Sequence, residues 1–212
     1  SQSTNDTSRN DDNLYDVHVS TEPTPQETIV HVPPIYSSYS HVQHWKIDKP
    51  LNGQDVLVIT DSNGTNWKDK PSNWTVYAFS GATINNVVDL IDHMDHIEDW
   101  KLIIISVGVN DIIAHNTPTV AEIKLRVRQL FNVCDTISIP VIFVTPPRSK
   151  TFHSQEVIDL FDALQKIAIT YFSSEYVVCT DKIAFAPSKP DDCKHYTRSV
   201  ARNLIKLVEN HC

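Results

Sequence analysis

Three side chains of the sequence could together carry out nucleophilic acyl chemistry. Asp192 and His195 are three residues apart near the C-terminus, so one short loop can hold the carboxylate against the imidazole. A histidine oriented in this way is a general base that accepts a hydroxyl proton during attack on a carbonyl carbon. Ser62 follows an apolar run, and a serine at the junction of a strand and a helix can expose its hydroxyl.

The elements that must position these residues follow from hydrophobic patterning. Short, nearly continuous apolar runs predict strands, and longer stretches with apolar residues on one face predict helices. Strands are predicted at residues 55–60, 74–80, 101–107, 139–145 and 176–180, and helices at residues 84–98, 117–135, 154–172 and 196–210. This alternation predicts an α/β fold, a three-layer α/β/α sandwich with a five-stranded, mainly parallel sheet of flavodoxin-like type.

Four polar segments follow predicted strands, where the ligand sites of parallel sheets lie. Taken alone, each has a simpler interpretation: Ser62 could be an N-cap, Gly81 a turn residue and Asn110 a loop or cap residue. In a chain with ten histidines, the Asp192–His195 spacing is also weak evidence alone. The occurrence of all four segments in order, each at a predicted strand end, favours a functional site.

In that order, the segments resemble the blocks of the SGNH (GDSL-type) hydrolases, a family of esterases and lipases. The resemblance covers about residues 53–210 and consists of Thr60-Asp61-Ser62-Asn63, Gly81, Gly108-Val109-Asn110-Asp111 and Asp192-Cys193-Lys194-His195. One position departs from the family, which has glycine where this chain has Thr60. That position shapes the turn after the strand, so the departure removes no catalytic group.

The resemblance implies a role for each matched residue. Ser62 would be the nucleophile, His195 the general base and Asp192 the residue that orients the base. The oxyanion hole would consist of the backbone N–H groups of Ser62 and Gly81 and the side-chain amide of Asn110. The neighbouring carboxylates at positions 61 and 111 are expected to brace loops.

The composition separates an N-terminal segment from the rest of the chain and argues against some classes of binding partner. Residues 1–50 are acidic and rich in Ser, Thr, Asp and Pro, which predicts a largely disordered leader or linker before a hydrolase domain at residues 51–212. The net charge of −8 argues against direct nucleic-acid binding. Apolar runs of about four residues are too short to form a transmembrane segment, whereas peripheral lipid contact and the oligomeric state stay open.

The sequence starts at Ser1 without a visible signal peptide, so we expect a cytoplasmic protein or a fragment of a larger one. The esterase domain in the first open reading frame of some non-LTR retrotransposons is similar in its compact core. The four cysteines show no pairing pattern and are expected to be reduced. The sequons at Asn5, Asn63 and Asn73 are short enough to arise by chance, and a glycan at Asn63 would obstruct the site.

These features predict a serine esterase that acts on short-chain, acetyl-type acyl esters or a lipid, without a cofactor. No metal site is expected, because the His41/His44 pair lies in the leader and the His93/His96 pair has no third ligand in register. No phosphate-binding glycine motif follows the first strand. The alternative is a catalytically silent module of the same fold that binds acylated lipid or carbohydrate.

Overall fold

The β-branched runs of the sequence form the centre of the structure, which is a computed structural model describing residues 45–212. Five strands make one sheet in the order β2-β1-β3-β4-β5, and every neighbouring pair is parallel. The strands are β1 (Val56–Asp61), β2 (Trp74–Phe79), β3 (Leu102–Ser106), β4 (Val141–Val144) and β5 (Val177–Val178). The predicted five-stranded parallel sheet is confirmed. Most of the strands are shorter than predicted by one to three residues.

The helices are α1 (Ile84–Asp92), α2 (Val109–Ile112), α3 (Val120–Asp135), α4 (Gln155–Phe172) and α5 (Arg198–Glu209). Two 3₁₀ helices, Ser62–Asn66 and Ile97–Asp99, complete the set. The first predicted helix, residues 84–98, was too long: α1 ends at Asp92, and His96, whose φ is 61°, then precedes the separate 3₁₀ helix Ile97–Asp99. Within residues 45–212, no helix has the length and apolar character needed to cross a membrane.

The helices cover both faces of the sheet, because successive strand residues point to opposite sides. In β1, Leu57 and Ile59 belong to one apolar cluster, which packs against α1, α3 and α4. Val56 and Val58 belong to the other cluster, which contains Trp67 and the buried face of α5. All four strand residues are buried, so the predicted α/β/α sandwich is confirmed.

The strand register brings the polar segments to one edge of the sheet. Asp61, the last residue of β1, is paired with Phe79 at the end of β2, and Thr60 is paired with Ser106 at the end of β3. The segments that begin at residues 62, 80 and 107 therefore leave the sheet at the same level. The carboxyl ends of parallel strands are where a ligand site is expected in this architecture.

Part of the predicted leader packs against this domain. Trp45 stacks on Phe79, with ring centroids 4.3 Å apart, and Ile47 is partly buried against the larger apolar cluster. The backbone N–H of Asp48 donates to the Tyr77 hydroxyl at 3.0 Å. Packing therefore includes residues before position 51. The rest of the leader, residues 1–44 with His41 and His44, lies outside the described residues, and the predicted domain boundary stays a prediction.

Candidate active site

The structure brings Ser62, His195 and Asp192 into one hydrogen-bonded chain. The Ser62 hydroxyl oxygen lies 2.9 Å from Nε2 of His195, and Nδ1 of the same imidazole lies 2.9 Å from Oδ2 of Asp192. Ser62 is half-buried directly after β1, and the His195 side chain is 44% exposed. The three residues predicted from the sequence thus have the relative positions of a nucleophile, a base and the carboxylate that orients the base.

Asp192 is held as an anion by the loop that carries it. Partial burial of Asp192 opposes its negative charge. The pKa of Asp192 is nevertheless lowered to about 2, because Oδ1 accepts the backbone N–H groups of His195 and Lys194, each at 2.9 Å, and the carboxylate also contacts the imidazole. The Ser188 hydroxyl donates to Oδ2 at 3.2 Å. A carboxylate only accepts, so Nδ1 of neutral His195 carries the proton and Nε2 presents a lone pair to Ser62.

The turn that exposes Ser62 is built around Thr60 and Gly64. Asp61 caps the 3₁₀ helix by accepting the Asn63 N–H at 2.8 Å. A Cβ at Gly64 would lie only 2.2 Å from Oγ1 of Thr60, so no other residue fits at position 64 while the threonine side chain stands there. The threonine at a position where the SGNH family has glycine is accommodated by a glycine four residues later.

Asn63 ties the turn that carries Ser62 to the loop that carries His195. It is 3% exposed; its Nδ2 donates to the Lys194 carbonyl at 3.1 Å, and its Oδ1 accepts the Tyr196 N–H at 3.0 Å. Asn66 and Trp67 also bind Tyr196, through its carbonyl and its hydroxyl, at 2.8 and 3.0 Å. A glycan on Nδ2 of Asn63 has no room at a side chain that is this deeply buried. The sequence indicated only that Asn63 adjoins the nucleophile.

The predicted oxyanion-hole residues lie after β2 and β3. Gly81 is exposed in the turn after β2, and no atom lies within 4 Å of where its Cβ would be. Asn110 lies in α2 and donates one N–H of its amide to the Ala82 carbonyl at 3.0 Å. Helix α2 is preceded by its N-cap residue Gly108, whose φ of 125° excludes most other residues. The hydrogen bond to Ala82 connects these two segments and leaves the second amide N–H of Asn110 for a ligand.

Asp111 stabilises the segments that carry Gly81 and Asn110. It is 1% exposed, its Oδ2 accepts the Ile84 N–H that begins α1 at 2.9 Å, and its Oδ1 accepts from Arg126 at 3.1 Å. Burial raises the pKa of Asp111 to about 6, because loss of solvation outweighs the Ile84 N–H and the Arg126 charge. The expected bracing role of Asp111 agrees with these contacts.

We expect Asp111→Asn to become more stable relative to wild type as the pH rises from about 4 to 6. In this window the folded carboxyl keeps a proton that the unfolded chain has released, so rising pH favours unfolding of wild type. The asparagine carries no such penalty. The rise of the Asp111 pKa from 3.8 to about 6 corresponds to a loss of at most about 3 kcal/mol in the free energy of unfolding of wild type across this pH window. The free energy of unfolding in urea, measured for both proteins from pH 4 to 7, gives this difference.

Asp69→Asn is the matched control for that experiment. Hydrogen bonds from Arg198 lower the pKa of Asp69 to about 2, so its stabilising charge is present above pH 4 and is lost only as the pH falls toward 2. The difference between this variant and wild type should therefore stay constant from pH 4.5 to 7. A constant difference for Asp111→Asn over the same range would show that Asp111 is ionised in the folded protein throughout.

His153 is a buried contact of the loop that carries Asp192 and His195, and no sequence motif marks it. Its Nδ1 accepts the Ser149 N–H at 3.1 Å, which leaves Nε2 to donate to the Cys193 carbonyl at 2.8 Å. The ring also packs against Phe161 and Phe185, at centroid distances of 5.1 and 5.5 Å. The loop after β4 thereby supports the segment between Asp192 and His195. Nothing in the sequence links residues 40 positions apart in this way.

A small cavity adjoins the nucleophile turn. It has about 10 Å³ of free volume, the size of one water molecule, and its lining includes Asp61, Asn63, Pro146, Pro147 and Lys194. Burial raises the pKa of Asp61 to about 6, against the effect of the Asn63 N–H. In the described range 45–212, no three His, Cys, Asp or Glu side chains are grouped so that they could hold a metal ion.

Comparison with known proteins identifies the fold. No family model matches the chain, and no curated protein matches it. Solved structures do match. A GDSL-like lipase from Bacteroides thetaiotaomicron is 15% identical, with 77% of this chain and 90% of that one covered and a TM-score of 0.54. An aryl esterase from M. smegmatis is also 15% identical, with 74% of this chain and 99% of that one covered and a TM-score of 0.54. A third, the acetyl xylan esterase AlAXEase, is 12% identical, with 73% of this chain and 98% of that one covered and a TM-score of 0.56. The chain therefore has the SGNH-hydrolase fold that its four segments predict.

Proposed function

We propose that this protein is a serine esterase that hydrolyses short-chain acyl esters. The observation that carries the proposal is the hydrogen-bonded chain from Ser62 through His195 to Asp192, with 2.9 Å at each step. It lies at the carboxyl edge of a parallel sheet, where the SGNH fold has its ligand site. The structures similar to this chain include a lipase, an aryl esterase and an acetyl xylan esterase, which supports ester hydrolysis as the class of reaction.

The reaction would proceed in two steps. The Ser62 oxygen attacks the ester carbonyl carbon while Nε2 of His195 accepts its proton, and the resulting imidazolium is stabilised by Asp192. When the tetrahedral intermediate collapses, His195 returns the proton to the leaving alcohol and the acyl group stays on the serine. A water molecule, deprotonated by His195, then attacks the acyl carbon and releases the carboxylic acid with the free serine.

The negative oxygen of each tetrahedral intermediate needs donors that are already in place. The N–H groups of Ser62 and Gly81 and the free amide N–H of Asn110 are the proposed donors. The Ala82 carbonyl holds the Asn110 amide in position, and the open space beside Gly81 lets a substrate oxygen approach the backbone. This arrangement supports an enzyme rather than the silent binding module that the sequence left as an alternative.

The acyl group is expected to be short. The connections that follow β1, β2 and β3 are short, which favours a shallow, open site and therefore a small acyl group. We therefore expect kcat/KM to fall from p-nitrophenyl acetate to the butyrate and then to the laurate. A steady increase toward the laurate in assays below its critical micelle concentration would contradict the short-chain assignment and would favour a lipid substrate.

A covalent label tests the proposed nucleophile independently of the substrate. A fluorophosphonate reacts only with an activated serine, so peptide mass mapping should find the label on Ser62 in wild type and nowhere in Ser62→Ala. His195→Ala should retain the serine but label much more slowly, because the base is gone. A folded wild-type protein that takes no label, or takes it on another serine, would contradict the esterase proposal and would favour the binding module.

Cytoplasmic location, an origin in a retrotransposon open reading frame and peripheral contact with lipid stay predictions from the sequence. The proposed reaction requires neither a metal nor a cofactor, because the serine, imidazole, carboxylate and amide donors supply every group that it uses. The natural alcohol part of the ester would lie on the exposed side of His195, whose side chain is 44% exposed. An open position of this kind suits leaving groups of varied size.

A further inference from the structure

Lys194 places an ammonium group beside the amide of Asn110. Its Nζ lies 3.5 Å from Oδ1 of Asn110, and Nδ2 of the same amide lies 3.0 Å from the Ala82 carbonyl oxygen. An ammonium can only donate and a carbonyl can only accept, so both neighbours require the same orientation of the amide. The amide is therefore oriented with its oxygen toward the lysine, and no residue of the described range 45–212 accepts its second N–H.

The backbone of Lys194 is fixed to both halves of the candidate site. Its N–H donates to Oδ1 of Asp192 at 2.9 Å, and its carbonyl accepts from Nδ2 of Asn63 at 3.1 Å. The residue is half-buried and lines the small cavity beside the nucleophile turn. The loop that carries Asp192 and His195 therefore fixes the backbone of Lys194, and the lysine side chain extends from there to Asn110 in α2.

Within the described part of the chain, no ion pair neutralises the charge of Lys194. Among residues 45–212, no carboxylate oxygen lies within 4.0 Å of its Nζ. Asp61, which also lines the cavity, is affected by the lysine only through space. A half-buried cation without a contacting anion acts strongly on nearby polar groups, because solvent screens it less than at the open surface.

We propose that Lys194 is a positioning residue that orients and polarises the Asn110 amide for the oxyanion. The inference rests on the proposed function. A charged donor on the amide oxygen draws electron density from the nitrogen, so the remaining N–H becomes a stronger donor. The effect is largest when negative charge develops on the substrate oxygen, and it therefore acts on the transition state more than on bound substrate.

Kinetics of Lys194→Met and Lys194→Arg with p-nitrophenyl acetate test this role. Lys194→Met should lower kcat by about tenfold, the lower end of the range for hydrogen bonds to charged groups, because the contact is long at 3.5 Å; KM should stay within about twofold. Lys194→Arg keeps a cation and should retain most of the activity. The unfolding temperature of each variant is measured alongside, and Lys194→Gln serves as the second neutral variant should Lys194→Met unfold. A neutral variant with the wild-type kcat would overturn the inference.

A double-mutant cycle with Asn110→Ala distinguishes action through the amide from a general effect of charge. Removal of one oxyanion donor typically costs about 10²–10³ in rate, so Asn110→Ala should show a loss of that order. If Lys194 acts through Asn110, the double variant should be no slower than Asn110→Ala alone. If the two losses multiply, Lys194 acts independently of the amide and the inference is wrong.

The same assays separate failure of this inference from failure of the proposed function. Wild type that is active, with Ser62→Ala inactive and Lys194→Met unaffected, would overturn the role of the lysine and leave the esterase proposal intact. Wild type that neither hydrolyses the ester nor takes the fluorophosphonate label would overturn the esterase proposal, and the role of Lys194 with it.

Discussion

Replacing Ser62 by alanine is expected to lower kcat for p-nitrophenyl acetate by about 10⁴-fold or more. The alanine has no hydroxyl, so no acyl-enzyme can form and only slow, direct attack by water remains. The fold should be unaffected, because the turn is held by the side chains of its neighbours: Asp61 caps it, and Asn63 ties it to Lys194 and Tyr196. Rates are measured under saturating substrate, with circular dichroism as the check on folding.

Ser199→Ala is the matched control for that loss. Ser199 is an exposed serine in the first turn of α5 and is not among the hydrogen-bond partners of the His195 or Asp192 side chains. This variant should hydrolyse the ester at the wild-type rate. Equal rates for wild type, Ser62→Ala and Ser199→Ala would show that the observed hydrolysis does not use Ser62, and the esterase proposal would then be wrong.

Asp192→Asn is expected to lower kcat by about 10⁴-fold while the loop stays folded. The new side-chain oxygen can still accept the backbone N–H groups of Lys194 and His195, which now lie 2.9 Å from Oδ1. The amide nitrogen would then face Nδ1 of His195, where Oδ2 lies at 2.9 Å in wild type. An NH₂ group cannot accept the Nδ1 proton, so the imidazole would carry its proton on Nε2 and could not receive one from Ser62.

Asp191→Asn makes the same chemical change one residue away. Asp191 is exposed and has a φ of 66°, a conformation that asparagine also tolerates. Its activity should equal that of wild type. A loss smaller than about tenfold in Asp192→Asn would show that Asp192 does not set the tautomer of the base, and His195 would then need another orienting group.

The sheet and the edge that carries the site could be predicted because their signals are local. Runs such as residues 55–60 and 101–107 are apolar at nearly every position, which is typical of strands buried on both faces, and their register then brings Ser62 and Asn110 to one edge. The first helix was predicted too long because its apolar spacing continues past Asp92 although the backbone turns at His96. Periodicity carries no information about such a turn.

The supporting contacts of the site could not be predicted, because they join residues that are distant in sequence and polar without any pattern. Asn63 and Lys194 are 131 positions apart, and His153 and Cys193 are 40 apart. The Thr60–Gly64 pair is different, because both residues lie in one segment. The sequence showed the unusual threonine, but the steric reason for the glycine depends on the direction of the threonine side chain in the folded turn.

The hydrogen bonds between the nucleophile turn and residues 194–196 have a consequence for the order of folding. Ser62, Asn66 and Trp67 each meet a partner 129–133 residues later in the chain. Closure of so long a loop is opposed by chain entropy, so these contacts form only after the intervening strands and helices have shortened it. The proposed base, His195, cannot reach Ser62 until the loop that carries it has docked. Local opening of the loop that carries Asp192 and His195 would separate the proposed base from Ser62 while the sheet remains intact.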